Sequence, residues 1–364
     1  MRLEHLFVQN YRNIIQADLD FSPRLNCFVG KNGMGKTNLL DAVYCLSFCK
    51  SSISISDQQT IRHGEECFQL QGSYILPSGD RTVIGCMSRS KGRKQFKRDG
   101  KEYQRFSDHI GYIPLVMVSP QDTELILGGS EERRRFIDMI ISQYDQEYLK
   151  LLISYNKAVQ QRNALLKMEI EPDGELFLMW EQTMADCGMR IYEKRRMLTD
   201  RLVPYFQEMY SYIGDEREQV SLSYSSDAQR GDLLSLLREG RGRDRAVGYS
   251  LHGIHKDELK MTLDGFPIRR EGSQGQNKSY LVALKLAQYR LLKESCSKSP
   301  LLLLDDIFDR LDALRVGRII SLVSDAERFG QVFITDVDRN HIDGILADAG
   351  CDYKVFTVQE GNVI

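Results

Sequence analysis

The chain has 364 residues, of which 42% are hydrophobic and 27% charged, and its formal net charge is −2. This composition is typical of a globular protein with enough apolar residues for one large core or two modest ones. The near-neutral charge gives no general attraction to nucleic acid, so any DNA contact must come from local basic patches. No stretch approaches the roughly 20 apolar residues of a membrane span and no segment resembles a secretory signal, which predicts a cytoplasmic protein. The eight cysteines lack Cys-x-x-Cys spacing, which favours reduced thiols over zinc ligands or disulfides.

Three regions with different patterns of apolar and polar residues follow one another along the chain. Up to about Val118, short apolar runs alternate with turn residues, which predicts strands and one helix near Thr37 to Ser47. From about Ser130 to Arg238, apolar residues recur at helical spacing, and Pro204 is expected to break the second long helix. A Gly- and Arg-rich stretch, 238–243, is interpreted as a linker. The tail again alternates strands with helices.

This order predicts an α/β fold whose main lobe is discontinuous. The apolar run 301–304 is typical of a parallel strand buried on both faces, and strands alternating with helices indicate a doubly wound sheet. We expect residues 1–118 and 245–364 to form this lobe, with residues 119–244 inserted as a mostly helical second lobe.

A phosphate-binding loop is the clearest motif. Residues 30–37 read Gly-x4-Gly-Lys-Thr, follow an apolar strand and open a helix. Glycines let backbone N–H groups face phosphate oxygens, and the helix adds its positive end. Lys36 is expected to reach the β- and γ-phosphates of ATP and the Thr37 hydroxyl to bind Mg²⁺; a chance glycine-rich turn is the alternative. The predicted nucleotide-binding residues here are Gly30, Lys31, Asn32, Gly33, Met34, Gly35, Lys36, Thr37 and Asn38.

Two carboxylates follow the buried apolar run. Asp305 and Asp306 are expected at the carboxyl edge of the sheet, beside the phosphate loop. Asp305 is the predicted Mg²⁺ partner. Asp306 is positioned to polarise the water that attacks the γ-phosphate, so Asp306 and Lys36 are the predicted catalytic residues. Taken alone, two acids after a strand are equally consistent with a solvated turn.

A second small-residue loop precedes a helix predicted over 277–292. It contains Ser273, Gly275 and Gln276, and its helix end is another anion-binding end. One triphosphate does not usually need two such ends, so this loop is expected to close over ATP held by a second copy, which implies an ATP-dependent homodimer. The alternative is a helix cap in which Ser273 supplies the oxygen.

Together these segments resemble the RecF family of ABC-type P-loop ATPase heads over nearly the whole chain. The resemblance adds Arg12 and Asn13, which match the family's early loop that reaches the nucleotide. Further matching segments are 37–42, 119–122, 132–138, the signature segment 273–276 and the Asp305–Asp306 pair.

The resemblance implies a cytoplasmic ATP- and DNA-binding repair protein with Mg²⁺ as cofactor. It implies an ATP-dependent dimer on single-stranded and gapped duplex DNA, with weak DNA-stimulated ATP hydrolysis. It also implies recombinase loading at gaps with RecO- and RecR-type mediators, replication restart and a link to the SOS response.

Three positions depart from the family pattern. The motif 253–257 keeps its glycine, histidine and aspartate but alters the usual proline and arginine. Arg310 replaces a usual acid, although Asp312 remains. The strand expected to end at Thr335 is not followed by a histidine of the sort that many ABC ATPases place near the γ-phosphate, which favours slow hydrolysis.

Local basic stretches are the candidates for DNA contact. The densest, 89–105, is expected to form a hairpin that tracks phosphates, with Phe96 and Tyr103 interleaved. Solvated turns are the alternative interpretation. Further candidates are Arg133, Arg134, Arg135, Arg241, Arg243 and Arg245.

Other functional classes remain open at this stage. An SMC-like chromosome ATPase head is the second hypothesis, but only about 110 residues lie between Ser130 and Arg238, without the sustained heptads of a long coiled coil. A transporter ATPase subunit is disfavoured by the early Arg12–Asn13 loop. A small-molecule kinase would leave the signature segment without a role.

Overall fold

The computed structural model describes residues 1–53, 56–169, 174–214, 217–308, 311–337 and 352–364. No helix among these residues is both long enough and apolar enough to cross a bilayer. The chain divides into two compact units. Unit 1 comprises Met1–Asp122, Met209–Glu216 and Gln274–Ile364, and unit 2 comprises Thr123–Glu208 and Arg217–Ser273.

The strands occupy both ends of the chain and a short central stretch. In chain order they are β1 (Arg2–Tyr11), β2 (Ile14–Asp20), β3 (Leu25–Val29), β4 (Cys67–Ile75), β5 (Arg81–Arg89), β6 (Gln95–Arg98), β7 (Lys101–Glu102), β8 (Leu115–Val118), β9 (Val220–Ser225), β10 (Glu258–Leu263), β11 (Phe266–Pro267), β12 (Leu301–Leu304), β13 (Val332–Asp336), β14 (Tyr353–Gln359) and β15 (Asn362–Val363).

Among the described residues the longest α-helix, of 40 residues, lies in the central part of the chain. In order, the α-helices are α1 (Lys36–Phe48), α2 (Glu124–Leu127), α3 (Ser130–Ser142), α4 (Gln146–Leu166), α5 (Gly174–Ile213), α6 (Leu233–Glu239), α7 (Arg241–Val247), α8 (Ile268–Glu271), α9 (Gln274–Ser295) and α10 (Ala313–Ser324).

Unit 1 contains two six-stranded sheets. The antiparallel sheet has the order β2-β1-β4-β5-β6-β7, and the second sheet has the order β15-β14-β3-β13-β12-β8. In the second sheet, β14, β3, β13, β12 and β8 pair in parallel. Every residue of β3, β8, β12 and β13 is buried, because a parallel sheet is covered on both faces. The prediction of a buried parallel strand at 301–304 is confirmed, and the central strands end together at one edge.

Unit 2 combines helices with a small antiparallel sheet of order β11-β10-β9. Residues 245–273 belong to this unit, because β10 pairs with β9 over their whole lengths, from Glu258 opposite Ser225 to Leu263 opposite Val220.

Two local predictions for the central region are wrong. Pro204 lies inside α5 and does not end it; the neighbouring side chains of Leu202 and Phe206 are buried, so packing outweighs the local cost of proline. The stretch 238–243 is not a linker, since α6 and α7 occupy it. Asp232 caps α6 by accepting bonds from two backbone N–H groups, and Arg241 of α7 pairs with the buried carboxylate of Glu181 at 2.7 Å.

Candidate nucleotide-binding site

The phosphate loop, residues 30–37, joins the end of β3 to the start of α1. Gly33 and Gly35 adopt left-handed φ angles of 80° and 114°, which glycine adopts at little cost. Gly35 is the N-cap of α1, and no side chain caps this helix end. The N–H groups at the start of α1 therefore remain available to an anionic ligand.

Gly30 lies directly against β14. A Cβ atom at this position would lie 2.3 Å from the backbone oxygen of Val358, so alanine would force β3 and β14 apart. We expect Gly30→Ala to lower the free energy of unfolding by about 1–3 kcal/mol. Gly317→Ala is the matched control, because no atom lies within 4 Å of its Cβ position in α10 and alanine favours a helix. Equal melting temperatures for the two variants would contradict this steric interpretation.

Lys36 is held in place by the loop that it closes. Its Nζ donates hydrogen bonds to the carbonyl oxygens of Gly30 at 2.6 Å and Lys31 at 3.0 Å. Burial lowers the pKa of Lys36, although the carboxylates of Asp306, Asp305 and Asp336 act in the opposite direction. The structure therefore presents a partly desolvated cation at the mouth of the phosphate loop.

Asp305 and Thr37 form an oxygen pair suited to a hard divalent cation. The Oδ1 atom of Asp305 accepts hydrogen bonds from the hydroxyls of Thr37 at 2.9 Å and Thr335 at 2.8 Å. Adjacent ligands of an octahedral Mg²⁺ ion, each about 2.0–2.1 Å from the metal, are separated by about the same distance. Burial is the largest cause of the raised pKa of Asp305, and a bound cation would favour its ionised form.

Two hydrogen bonds hold the backbone of Asp306 in place. Its φ angle of 49° is left-handed, its N–H donates to the Thr335 hydroxyl at 2.9 Å, and its carbonyl accepts from Lys278 Nζ at 3.3 Å. Lys278 lies in the first turns of α9, so the helix that carries the signature segment also contacts the backbone of this predicted catalytic residue.

The turn between β1 and β2 brings Arg12 and Asn13 to the phosphate loop. Asn13 accepts a hydrogen bond from Asn38 Nδ2 at 2.6 Å and donates to the carbonyl of Gly33 at 3.4 Å. Arg12 has a left-handed φ of 56°, and its Nε lies 3.5 Å from a carboxylate oxygen of Asp41. These two predicted residues therefore contact α1 and the loop directly.

Asp41 was not predicted as a site residue, although it organises this region. Its fully buried carboxylate accepts hydrogen bonds from Tyr11 at 2.8 Å, from Ser51 at 2.7 Å, and from both the backbone N–H and the hydroxyl of Ser52. The sequence signal is an acidic residue on an otherwise apolar helix. Asp41 fixes the β1–β2 turn and the segment after α1 relative to the phosphate loop.

A cleft of about 760 Å³ opens beside these residues. It is lined by Arg12, Asn13 and Asn38 on one side and by the segment 56–65 on another, with Arg62, His63 and Glu65 among its polar side chains. Its size is in the range of small-molecule sites.

The signature segment lies at the start of α9. Gln274, Gly275 and Gln276 form its first turn, so this helix begins three residues earlier than predicted, directly after Ser273. A Cβ atom at Gly275 would lie 2.9 Å from Nη1 of Arg315 in α10, the end of a flexible side chain that can shift to make room.

Comparison with known proteins identifies the family. The family model described as the RecF/RecN/SMC N terminal domain matches residues 2–362. A protein of Bacteroides fragilis named DNA replication and repair protein RecF is 57% identical over 363 residues, covering 100% of this chain and 98% of the relative. The chain belongs to the RecF family. A RecF of Porphyromonas gingivalis is 48% identical over 364 residues, covering 100% of both chains.

Solved structures agree with this assignment. A RecF–ATP structure, described as a recombination mediator in the RecFOR pathway, superposes with a TM-score of 0.88 at 28% identity, covering 100% of this chain and 98% of that one. The Smc head of Pyrococcus furiosus, at 16% identity, covers 100% of this chain and 95% of that one with a TM-score of 0.59, and shares the fold alone. The resemblance to RecF and the predicted ABC-type ATPase head are thus confirmed.

Several basic residues proposed for DNA contact serve this RecF fold instead. Lys94 is buried and pairs with Asp57 at 2.6 Å, and Phe96 is fully buried, so it offers no exposed stacking surface. Arg133 donates to both carboxylate oxygens of Glu258. Sequence alone cannot separate these groups from exposed cations. Arg310 lies outside the described residues.

Proposed function

We propose that this RecF protein binds ATP with Mg²⁺ in unit 1 and dimerises on DNA in the ATP-bound state. The observation that carries the proposal is the joint placement of Lys36, Thr37 and Asp305, which supplies a phosphate-binding cation and two metal ligands at one sheet edge. The solved RecF relative with ATP supports this role for the phosphate loop.

In this proposal backbone N–H groups within residues 30–38 that make no bond to a carbonyl, together with the ammonium of Lys36, hold the β- and γ-phosphates. Thr37 and Asp305 hold Mg²⁺, which screens phosphate charge and orients the triphosphate. The described residues contain no cluster of three or more His, Cys, Asp and Glu side chains arranged around a metal, so phosphate and water would complete the coordination. Arg12 and Asn13 approach the nucleotide from the neighbouring cleft.

Asp306 is the proposed catalytic residue for hydrolysis. Its backbone is held by Thr335 and Lys278, and its carboxylate is near enough to Lys36 to act on the pKa of that lysine, from where it would orient the attacking water. Slow turnover is expected, because β13 ends in Asp336 and is followed directly by Val337 rather than by a histidine.

The dimer is proposed to close through the signature segment. Ser273, Gly275 and Gln276 would contact the phosphates of ATP bound to the second copy, using the N-terminal end of α9. DNA would bind without sequence preference through exposed cations. RecO- and RecR-type mediators are proposed partners, because the solved RecF is described in the RecFOR pathway.

Solution mass tests this proposal. Light scattering is expected to show the 41.9 kDa monomer doubling in mass only with ATP and Mg²⁺, and more completely with gapped DNA. Lys36→Met should prevent doubling by removing phosphate binding. Ser273→Arg should also prevent it while leaving ATP binding intact, because the substitution obstructs only the closing surface. A Ser273→Arg protein that dimerises like the parent would contradict closure through this segment.

A further inference from the structure

Positive groups from two distant chain segments converge on the ring of Tyr112 in unit 1. The guanidinium carbon of Arg98, at the end of β6, lies 4.6 Å from the ring centroid. Nζ of Lys298, in the segment between α9 and β12, lies 3.5 Å from the same centroid and donates to the Tyr112 carbonyl at 2.8 Å. We call Arg98 and Lys298 the Tyr112 cation cluster.

The Tyr112 cation cluster has no carboxylate counter-charge. Within the part of the chain that the structure describes, neither of its two cations forms an ion pair with an acidic side chain. The adjacent carboxylate of Asp99 is instead held by the hydroxyl of Thr82 and the N–H of Val83. Burial, followed by the charge of Arg98, lowers the pKa of Lys298. Cation–π contact with Tyr112 offsets part of the repulsion between Arg98 and Lys298, and a bound anion would offset more of it.

A further exposed cation lies beside the Tyr112 cation cluster at the edge of the sheet. Lys101 lies opposite Arg98 in the register between β6 and β7, and both residues are exposed. His109 contributes no charge near neutral pH, because burial lowers its pKa to about 4. The ring of Tyr112 already contacts two cations and is therefore not open to stacking on a DNA base. The cluster offers a ligand only its positive charges.

We propose that the Tyr112 cation cluster binds the phosphodiester backbone of DNA. This inference rests on the DNA binding in the proposed function and names a site for it. The chain's net charge of −2 provides no general attraction, so DNA affinity must come from local groups of unpaired cations. The cations of the cluster contact phosphates, so binding should weaken as salt increases. Because the cluster has no group that contacts base edges, binding should not depend on DNA sequence.

The test compares two pairs of substitutions with the same change in charge. Arg98→Met with Lys298→Met removes the cluster's side-chain charges but keeps the aliphatic stems that pack on Tyr112. Lys157→Met with Arg196→Met removes two exposed cations from α4 and α5 and serves as the control. The probe is a fluorescein-labelled poly(dT) strand, followed by anisotropy over a series of salt concentrations.

We expect the cluster variant to bind at least about 10-fold more weakly at low salt, with the log–log salt slope reduced by about 1–2, because two phosphate contacts are lost. The control should change affinity by less than about 3-fold. Melting curves establish that both proteins are folded. If Lys298→Met lowers the melting temperature, Arg98→Met alone, at an exposed strand position, gives the same comparison.

Three results would overturn the proposal in distinguishable ways. Equal losses in both variants would mean that general charge, rather than this cluster, attracts DNA. Unchanged binding in the cluster variant, while the parent binds the strand, contradicts the site but not the proposed function; a parent that binds no DNA contradicts both. If loss of the charges of Arg98 and Lys298 weakened the binding of labelled polyglutamate but not of poly(dT), the surface would be assigned to an acidic protein.

Discussion

An Asp306→Asn protein is expected to bind ATP as tightly as the parent and to hydrolyse it at least about 100-fold more slowly, the usual contribution of a well-placed proton acceptor. The two contacts that fix Asp306, from its N–H to Thr335 and from Lys278 to its carbonyl, both involve the main chain. Asparagine therefore preserves the local structure and removes only the carboxylate charge. Phosphate release under saturating ATP measures the rate, and light scattering after dilution from ATP should show a longer-lived dimer.

Asp305→Asn is the matched control, because it makes the same chemical change one residue earlier. The carboxylate of Asp305 accepts hydrogen bonds from Thr37 and Thr335, and the proposed role of Asp305 is in metal binding. We expect this variant to lose the dependence of ATP affinity on Mg²⁺, which Asp306→Asn retains. Hydrolysis at the parental rate by Asp306→Asn would remove the proposed role of Asp306 and leave the binding site intact.

The pH dependence follows from the same geometry. Burial raises the pKa of Asp305, so its carboxyl group takes up a proton at a higher pH than an exposed aspartate does. Mg²⁺ binding requires the ionised form. The contribution of Mg²⁺ to ATP affinity should therefore be present above the raised pKa of Asp305 and decline as pH falls through it.

The parts of the fold and site that sequence predicts are those encoded locally. The phosphate loop has fixed spacing within eight consecutive residues, 30–37, and the glycines serve backbone geometry that only this residue type adopts easily. The strand at 301–304 is recognisable because a parallel strand covered on both faces is apolar throughout. The following acids then fall at the edge where neighbouring parallel strands also end.

Residues whose roles depend on distant partners leave no such signal. Fully buried Arg162 contacts Glu181, Asp244 and Ser250, which are 19, 82 and 88 residues away. In the sequence it is one polar residue in a helical pattern. Asp41 is similar, since Tyr11 reaches it from 30 residues away. The linker interpretation of 238–243 failed for this reason, because glycine and arginine content does not show that Asp244 is tied to Arg162.

Replacing Arg195 by methionine is expected to lower the free energy of unfolding of unit 2 by about 3–5 kcal/mol, the usual cost of removing one partner from a buried ion pair. The Arg195 side chain is only 2% exposed and lies 2.9 Å from a carboxylate oxygen of Asp138. It also donates to Tyr224 at 3.0 Å and to the Ile254 carbonyl at 2.9 Å. Methionine fills similar space but leaves these acceptors without their donor.

The loss in free energy of unfolding should be larger than the Arg195–Asp138 pair alone would give, because Asp257 also faces Arg195 at 3.6 Å. Burial raises the pKa of Asp257, and the charge of Arg195 acts against that shift. Without Arg195, the carboxyl group of Asp257 is expected to protonate at a higher pH, so the destabilisation should be greatest at alkaline pH and diminish as pH falls and this group becomes neutral.

Urea denaturation at two pH values checks this prediction, and the chain's single tryptophan makes the measurement specific. Trp180 lies in the part of α5 that belongs to unit 2, so its fluorescence reports the unfolding of that unit. Arg196→Met is the matched control, because the adjacent arginine is exposed and its replacement should change the free energy by less than about 0.5 kcal/mol. Similar small changes in both variants would mean that the hydroxyls of Tyr148 and Tyr224, which donate to Asp138 and Asp257, satisfy the two carboxylates without help from Arg195.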